Sequence, residues 1–193
     1  MDCMPKRKPR ARKRGSWNWE RGMQLRIHKW PEKILKKRCR RVEKVDARIQ
    51  EMFREMYSLM QVHRGIGLAA NQGGLDLCLV VIATEESTFQ LANPRVVKKE
   101  GRITFTEGCL SFPGLEVDTV RARKVWVQAL NEEGEEVEIE AEDVLAVVFQ
   151  HEIDHVNGIP FFRRAKWRDR IRLYPQLKKI VKETRNELRK SAT

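Results

Sequence analysis

One stretch constrains this chain more than any other: Gln150-His151-Glu152-Ile153-Asp154-His155, which closes the apolar run Val144-Leu145-Ala146-Val147-Val148-Phe149. Nothing in that run breaks a helix. At 3.6 residues per turn, His151 and His155 stack on one helical face. Their side-chain roots are then about 5–6 Å apart, close enough for two imidazoles to share a metal ion. Glu152 lies about 100° round the helix from His151. It flanks such an ion, where a general base for a metal-bound water has to be. A polar triplet after an apolar run costs free energy unless something pairs with it, which argues against coincidence.

The pattern alone does not choose a reaction. The metzincin extension needs a third histidine where this chain has Phe161, so that version fails. The thermolysin version takes a glutamate from a later helix, and only Glu183 or Glu187 could be offered. A third ligand must be found elsewhere.

A chain of 193 residues is long enough for one domain with a real core. It holds no apolar run able to span a bilayer and no apolar segment of the secretory kind near its start. Cys3, Cys39, Cys78 and Cys109 form no CxxC pair, which fits a reducing, cytoplasmic setting. The net charge of +12 is unevenly placed: +6 over residues 1–22, +7 over 23–50, −10 over 51–162 and +9 over 163–193. An acidic middle argues against a DNA-reading core, and basic ends suit contact with a polyanion.

Residues 1–22 include Lys6-Arg7-Lys8-Pro9-Arg10-Ala11-Arg12-Lys13-Arg14 and almost nothing apolar before Trp17. Such a segment cannot bury itself and is expected to be a disordered, solvated tail. An RNA or ribosome contact, a nuclear-type address and a transit peptide are its functional alternatives. Residues 23–45 read as extended, with Trp30-Pro31 barring a helix. Asp46 then caps a helix whose apolar stripe is Ile49, Met52, Phe53, Met56, Leu59 and Met60, stopping at Gly65 or Gly67.

Gly65-Ile66-Gly67-Leu68-Ala69-Ala70-Asn71-Gln72-Gly73-Gly74 lets a backbone approach a ligand closely. It lacks the Gly-Lys-Ser/Thr of a phosphate loop. Leu77–Ala83 reads as a buried strand with Cys78 as a small core residue, followed by short strands at 89–91 and 95–98. Lys124–Leu130 and Glu136–Glu140 read as a hairpin about Asn131–Gly134. Asp143 is expected to cap the histidine-bearing helix and Gly158 to end it. A last helix starts near Pro175, with the stripe Leu177, Ile180, Val181, Thr184 and Leu188 opposite a basic face.

Cys109 lies in Phe105-Thr106-Glu107-Gly108-Cys109-Leu110-Ser111-Phe112-Pro113-Gly114. It could be an inert thiol, a nucleophile with a histidine partner, or the missing ligand. The histidine helix decides for the ligand, since a thiolate and two imidazoles leave one position of a tetrahedral ion for water.

Three separated motifs, Gly65–Gln72, Glu107–Ser111 and Gln150–His155, in that order and at that spacing, resemble the peptide deformylase family. The resemblance covers about residues 23–170. It implies an α+β fold: antiparallel sheets packed around a central helix carrying the histidines, with an N-terminal helix and a basic C-terminal helix. It divides the chain into a basic extension (1–22), a catalytic domain (23–170) and a terminal helix (171–193). It implies removal of the formyl group from the formyl-methionine of new polypeptides.

Residue by residue, the resemblance makes Cys109, His151 and His155 the metal ligands and Glu152 the acid/base. The Gln72 amide and the Leu110 backbone N–H would face the developing oxyanion. Gly65, Ile66, Gly67 and Gly108 would meet the substrate, and Ile66, Phe105, Val144, Val147 and Val148 would supply the methionine slot. The expected cofactor is one divalent ion, Fe²⁺ in the cell, with Zn²⁺ or Ni²⁺ possible in a purified sample. The expected partners are formylated nascent peptides and, through the basic ends, the ribosome near its exit tunnel, with the protein a monomer. A metallopeptidase would use the helix but leave Gln72 and Cys109 unexplained. An RNA-binding protein with a structural metal would need a fourth protein ligand, and the sequence offers none.

Overall fold

The computed structural model describes residues 25–191. The basic stretch 1–22, expected to be a disordered tail, lies outside them. Helix α1 (Ala47–Val62) starts as the sequence requires, with the Asp46 side chain accepting a hydrogen bond from the Ile49 N–H at 3.0 Å. It ends earlier than expected. His63 is the C-cap, and Arg64, not a glycine, takes the left-handed conformation at φ 54°. Gly65 instead returns its N–H to the Met60 carbonyl, and Gly67 already belongs to a strand.

Seven strands follow: β1 (Gly67–Ala69), β2 (Leu79–Ala83), β3 (Thr88–Glu100), β4 (Ile103–Glu107), β5 (Val117–Arg121), β6 (Lys124–Leu130) and β7 (Glu136–Glu142). An antiparallel sheet runs β1-β2-β3-β6-β7, and β4 pairs with β5 in a separate two-stranded sheet. The outer edge of β1 therefore pairs with no strand among the described residues. The two short strands expected at 89–91 and 95–98 are one long strand. Asn93 and Pro94 make a bulge in it, with Asn93 at φ 56° and its side-chain amide bonding both the N–H and the carbonyl of Val42. The β4–β5 pair was not anticipated, because its alternating threonines, acids and apolar residues lie on either side of a loop-rich motif.

Helix α2 (Asp143–Val156) is the central helix, and every residue from Ala146 to Val156 is buried. Period-2 alternation lets one sheet serve two helices. Val80, Ile82 and Leu91 pack with Ala146, Val148 and Phe149 of α2, while Leu79, Val81 and Ala92 pack with Phe53, Met56 and Met60 of α1. Asp143 does not cap α2; Glu142 occupies that place. Asp143 is the first helical residue, at φ 50°, tied by its N–H to the Arg123 carbonyl and by its carboxylate to the Arg123 guanidinium at 2.8 Å. Gly158, at φ 72°, turns the chain away just past the Asn157 C-cap.

Beyond α2 come a 3₁₀ turn (Phe161–Arg164), a short helix α3 (Trp167–Arg172) that sequence reasoning missed, and α4 (Tyr174–Lys190). Ile180 of α4 joins Phe112, Leu115, Val117 and Phe161 in a third apolar cluster, and Trp30 stacks on Phe112 at 5.4 Å. The observed class is α+β, as expected from the motifs. Among the described residues no helix is long and apolar enough to cross a membrane.

Candidate active site

α2 carries two donors one turn apart, and the turn after β4 carries the third. The Nε2 atoms of His151 and His155 are 3.2 Å apart, and Cys109 Sγ is 3.1 Å from His155 Nε2. The donor atoms of Cys109, His151 and His155 all lie within 4.8 Å of one another. Two donors on one tetrahedral ion sit roughly 3.3–3.6 Å apart, so the set fits a single divalent ion. The donor chemistry agrees, since a thiolate with two imidazoles suits a transition metal.

The ring orientation is set from behind. His151 Nδ1 meets Glu107 Oε2 at 2.5 Å, which leaves Nε2 facing the other donors. Glu107 in turn accepts from the Arg121 Nε at 2.7 Å and from the Thr119 hydroxyl. Arg121 also donates to Asp154, which accepts from Arg164 at 2.5 and 2.9 Å. The side chains of Glu107 and Arg121 are 3% and 2% exposed, so the pairing is fully desolvated. Burial alone would raise the Glu107 carboxyl, but His151 and Arg121 outweigh it and bring it down to about 2.

Burial also pulls down on both histidines. At His151 the bonds to Cys109 and Glu107 reverse this and hold the ring well above its ordinary value. At His155 the charge of His151 adds to burial, and the ring is held well below. Only unprotonated rings and a thiolate bind a metal, so an ion and the His151 proton compete for the same lone pair.

Glu152 stands beside the donors. Its Oε2 is buried without a hydrogen-bond partner among the described residues, and burial pushes the carboxyl up to about 7. An orphaned oxygen beside three converging donors marks where a polar group from outside the chain belongs. Gly67 leaves the room for it: a Cβ at that position would stand 2.5 Å from Glu152 Oε1. Gln72 is fixed by its carbonyl oxygen, which accepts from the Ala69 N–H at 2.8 Å, so its amide nitrogen points at Cys109 Sγ, 3.5 Å away. None of the hydrogen bonds among the described residues uses the Leu110 N–H.

The expected substrate residues scatter more. Gly65 approaches the Leu110 side chain, Gly67 begins the edge strand, and Ile66 between them is 54% exposed. Gly108 is exposed next to Cys109, and Phe105 on β4 is half-buried. Val147 is buried one turn before His151, and Val144 is exposed at the start of α2. Val148 departs from the expectation. It packs into the cluster between α2 and the five-stranded sheet, because the helical period turns it about 100° away from Val147.

Sequence reasoning assigned no role to Glu107, Arg121, Asp154 or Asn71. Asn71 donates to the His155 carbonyl at 2.6 Å, tying the glycine-rich loop to α2. The available signal was a charged residue inside each motif: Glu107 two places before Cys109, and Asp154 between the histidines. Arg121 had no such flag, because its strand had not been recognised.

An α+β body in which a cysteine, two histidines and a buried glutamate converge has the make-up of a metal-assisted hydrolase. Residues 24–170 match the family model described as polypeptide deformylase. The chain belongs to that family, whose members remove the formyl group from the N-terminus of newly made polypeptides. It is 45% identical over 151 residues to the peptide deformylase of Aquifex aeolicus, covering 75% of this chain and 89% of the relative. Its fold is similar to the peptide deformylase of Thermus thermophilus, with a TM-score of 0.77, 35% identity and coverage of 82% of this chain and 98% of that one. Arabidopsis thaliana peptide deformylase 1B matches with a TM-score of 0.80, 31% identity and coverage of 84% and 93%.

Proposed function

We propose that Cys109, His151, His155 and Glu152 form the centre that hydrolyses the formyl amide, with Gln72 and Leu110 completing it. The observation that carries this is the convergence of Cys109 Sγ and both histidine Nε2 atoms, at 3.1 and 3.2 Å, beside the unpartnered Oε2 of Glu152. Cys109, His151 and His155 would hold a divalent ion, which would acidify an attacking water to near neutral pH. Glu152 would take a proton from the attacking water and return it to the leaving amine nitrogen. The Gln72 amide and the Leu110 N–H donate to the formyl oxygen as charge develops on it. The substrate backbone adds to the free edge of β1 at Gly65–Gly67, as an extra strand. Ile66, Phe105, Val144 and Val147 receive the methionine side chain.

The test is formate release from formyl-Met-Ala, with unformylated Met-Ala as the control. Release from the formylated peptide only, lost on chelation and regained with metal, is the expected result. Cleavage of Met-Ala would replace this reading with a metallopeptidase. Gln72→Ala is expected to lower turnover by about 100- to 1,000-fold, the cost of one oxyanion donor, with little change in metal content.

Fe²⁺ is the proposed ion in the cell, in a cytoplasmic or organellar monomer. Metal analysis after anaerobic purification should find iron, and activity should fall in air as iron leaves or Cys109 oxidises. Zinc alone, at full activity and unaffected by air, would contradict it.

Residues 1–22 and 171–193 are proposed as basic appendages to a catalytic unit at 23–170, with the ribosome as their partner. The solvent face of α4 carries Lys178, Lys179, Lys182, Arg185 and Arg189, while Ile180 and Thr184 anchor it to the body. Deleting residues 172–193 is expected to reduce co-sedimentation with ribosomes, and equal binding would remove α4 from the argument.

A further inference from the structure

A second cavity, of about 630 Å³, opens between the N-terminal loop, β3, the turn before β4, the end of β5 and the last turns of α2. None of the three metal-donor residues lines it, and neither do Glu152 or any residue of α4. Arg38, Arg41, Arg95, Lys99, Arg102 and Arg164 on its wall are exposed, and Arg121 is buried. Among the described residues the one acid on its wall, Asp154, is already taken by Arg121 and Arg164. Arg38, Arg41, Lys99 and Arg102 make no ion pair with any described residue.

Three observations point to an anion. First, the cations do not cluster here because the chain is basic throughout. Residues 51–162 are net −10, yet they supply Arg95, Lys99, Arg102 and Arg121 to this one concavity. Like charges around a cavity repel one another unless a counter-charge sits among them. Second, the cations converge from separate parts of the chain: Arg38 and Arg41 from the N-terminal loop, Arg95 and Lys99 from β3, and Arg102 from the turn before β4. Third, no aromatic side chain among the described residues lines the walls, so none of them offers a surface for stacking a base or a sugar ring. The space is larger than one phosphate group needs and within the range of ordinary ligand sites.

We propose that this cavity binds consecutive phosphate groups of a polyanion, supplied by a single-stranded RNA backbone or by a free oligophosphate. The proposal goes beyond formyl hydrolysis and does not depend on it.

The test uses the full-length, metal-loaded protein with two probes, inorganic tripolyphosphate and a mixed-sequence single-stranded RNA decamer. Binding is measured by calorimetry and fluorescence anisotropy over a salt series. The combined variant R38Q/R41Q/R102Q is expected to weaken both probes at least tenfold while formyl-Met-Ala turnover stays at the wild-type level. For RNA, the slope of log affinity against log salt should shrink by about two, the amount three lost phosphate contacts would remove. Val120→Glu, which places a carboxylate at the mouth without removing any cation, should give the same loss. K178Q/K182Q/R185Q on α4 should leave tripolyphosphate affinity within twofold. Equal affinity for the two probes would name a free oligophosphate as the source, and much tighter RNA binding would name the backbone; both support the site. No saturable binding of either probe at 100 mM salt, or unchanged binding by R38Q/R41Q/R102Q and Val120→Glu, would overturn it.

Discussion

Glu152→Gln is expected to keep its metal and its fold while formate release falls by about 10²–10⁴-fold, the usual contribution of a positioned acid/base. The amide matches the carboxylate in size, so the narrow space against Gly67 is unchanged. Because Glu152 Oε2 has no partner among the described residues, the substitution breaks no hydrogen bond there. It also removes a buried ionisable group, so the melting temperature should hold or rise. Metal analysis, a thermal melt and a formate assay on one preparation separate the possibilities. Full turnover in Glu152→Gln would take the proton transfer away from this residue. Loss of the metal would make it a ligand instead.

Arg121→Leu should produce the largest loss of stability of any single substitution near the site. It leaves Glu107 and Asp154 as two buried carboxylates without their shared guanidinium. Breaking a buried pair in this way costs about 3–5 kcal/mol, and at 2–4 °C per kcal/mol for a chain of this size the midpoint falls by roughly 6–20 °C. Glu107 also orients His151, so metal affinity should fall by about 10–100-fold. A melt within 2 °C of wild type would show that Arg164 or water compensates for the lost cation.

The two predictions reflect what was legible in the sequence. The histidine helix was readable because the His151–His155 spacing alone sets a geometry, and because the apolar run Val144–Phe149 before it marks a buried segment in which polar side chains need a purpose. Asp46 as an N-cap and the hairpin about Asn131–Gly134 were readable for the same local reason. Asn93-Pro94 misled because such a pair ends most strands, whereas here the Asn93 side chain grips Val42 and carries the ladder through a bulge. The Glu107–Arg121–Asp154 network was out of reach for a different reason. It joins residues from two strands and a helix that are local neighbours only once the fold exists, and no spacing rule connects positions 107, 121 and 154. Val148 shows the limit at single-residue scale. One step along a helix separates a side chain beside the donors from one committed to the core.

The outer edge of β1 pairs with no other strand, and the strand addition proposed there carries a consequence for timing. On that proposal a polypeptide lies along the edge only while its first residues are extended and have no other strand or helix to join. Once those residues fold into their own domain, their amides are spoken for and the formyl group is out of reach. The reaction therefore competes with the client's own folding, and clients whose first residues fold slowest should be the most completely processed.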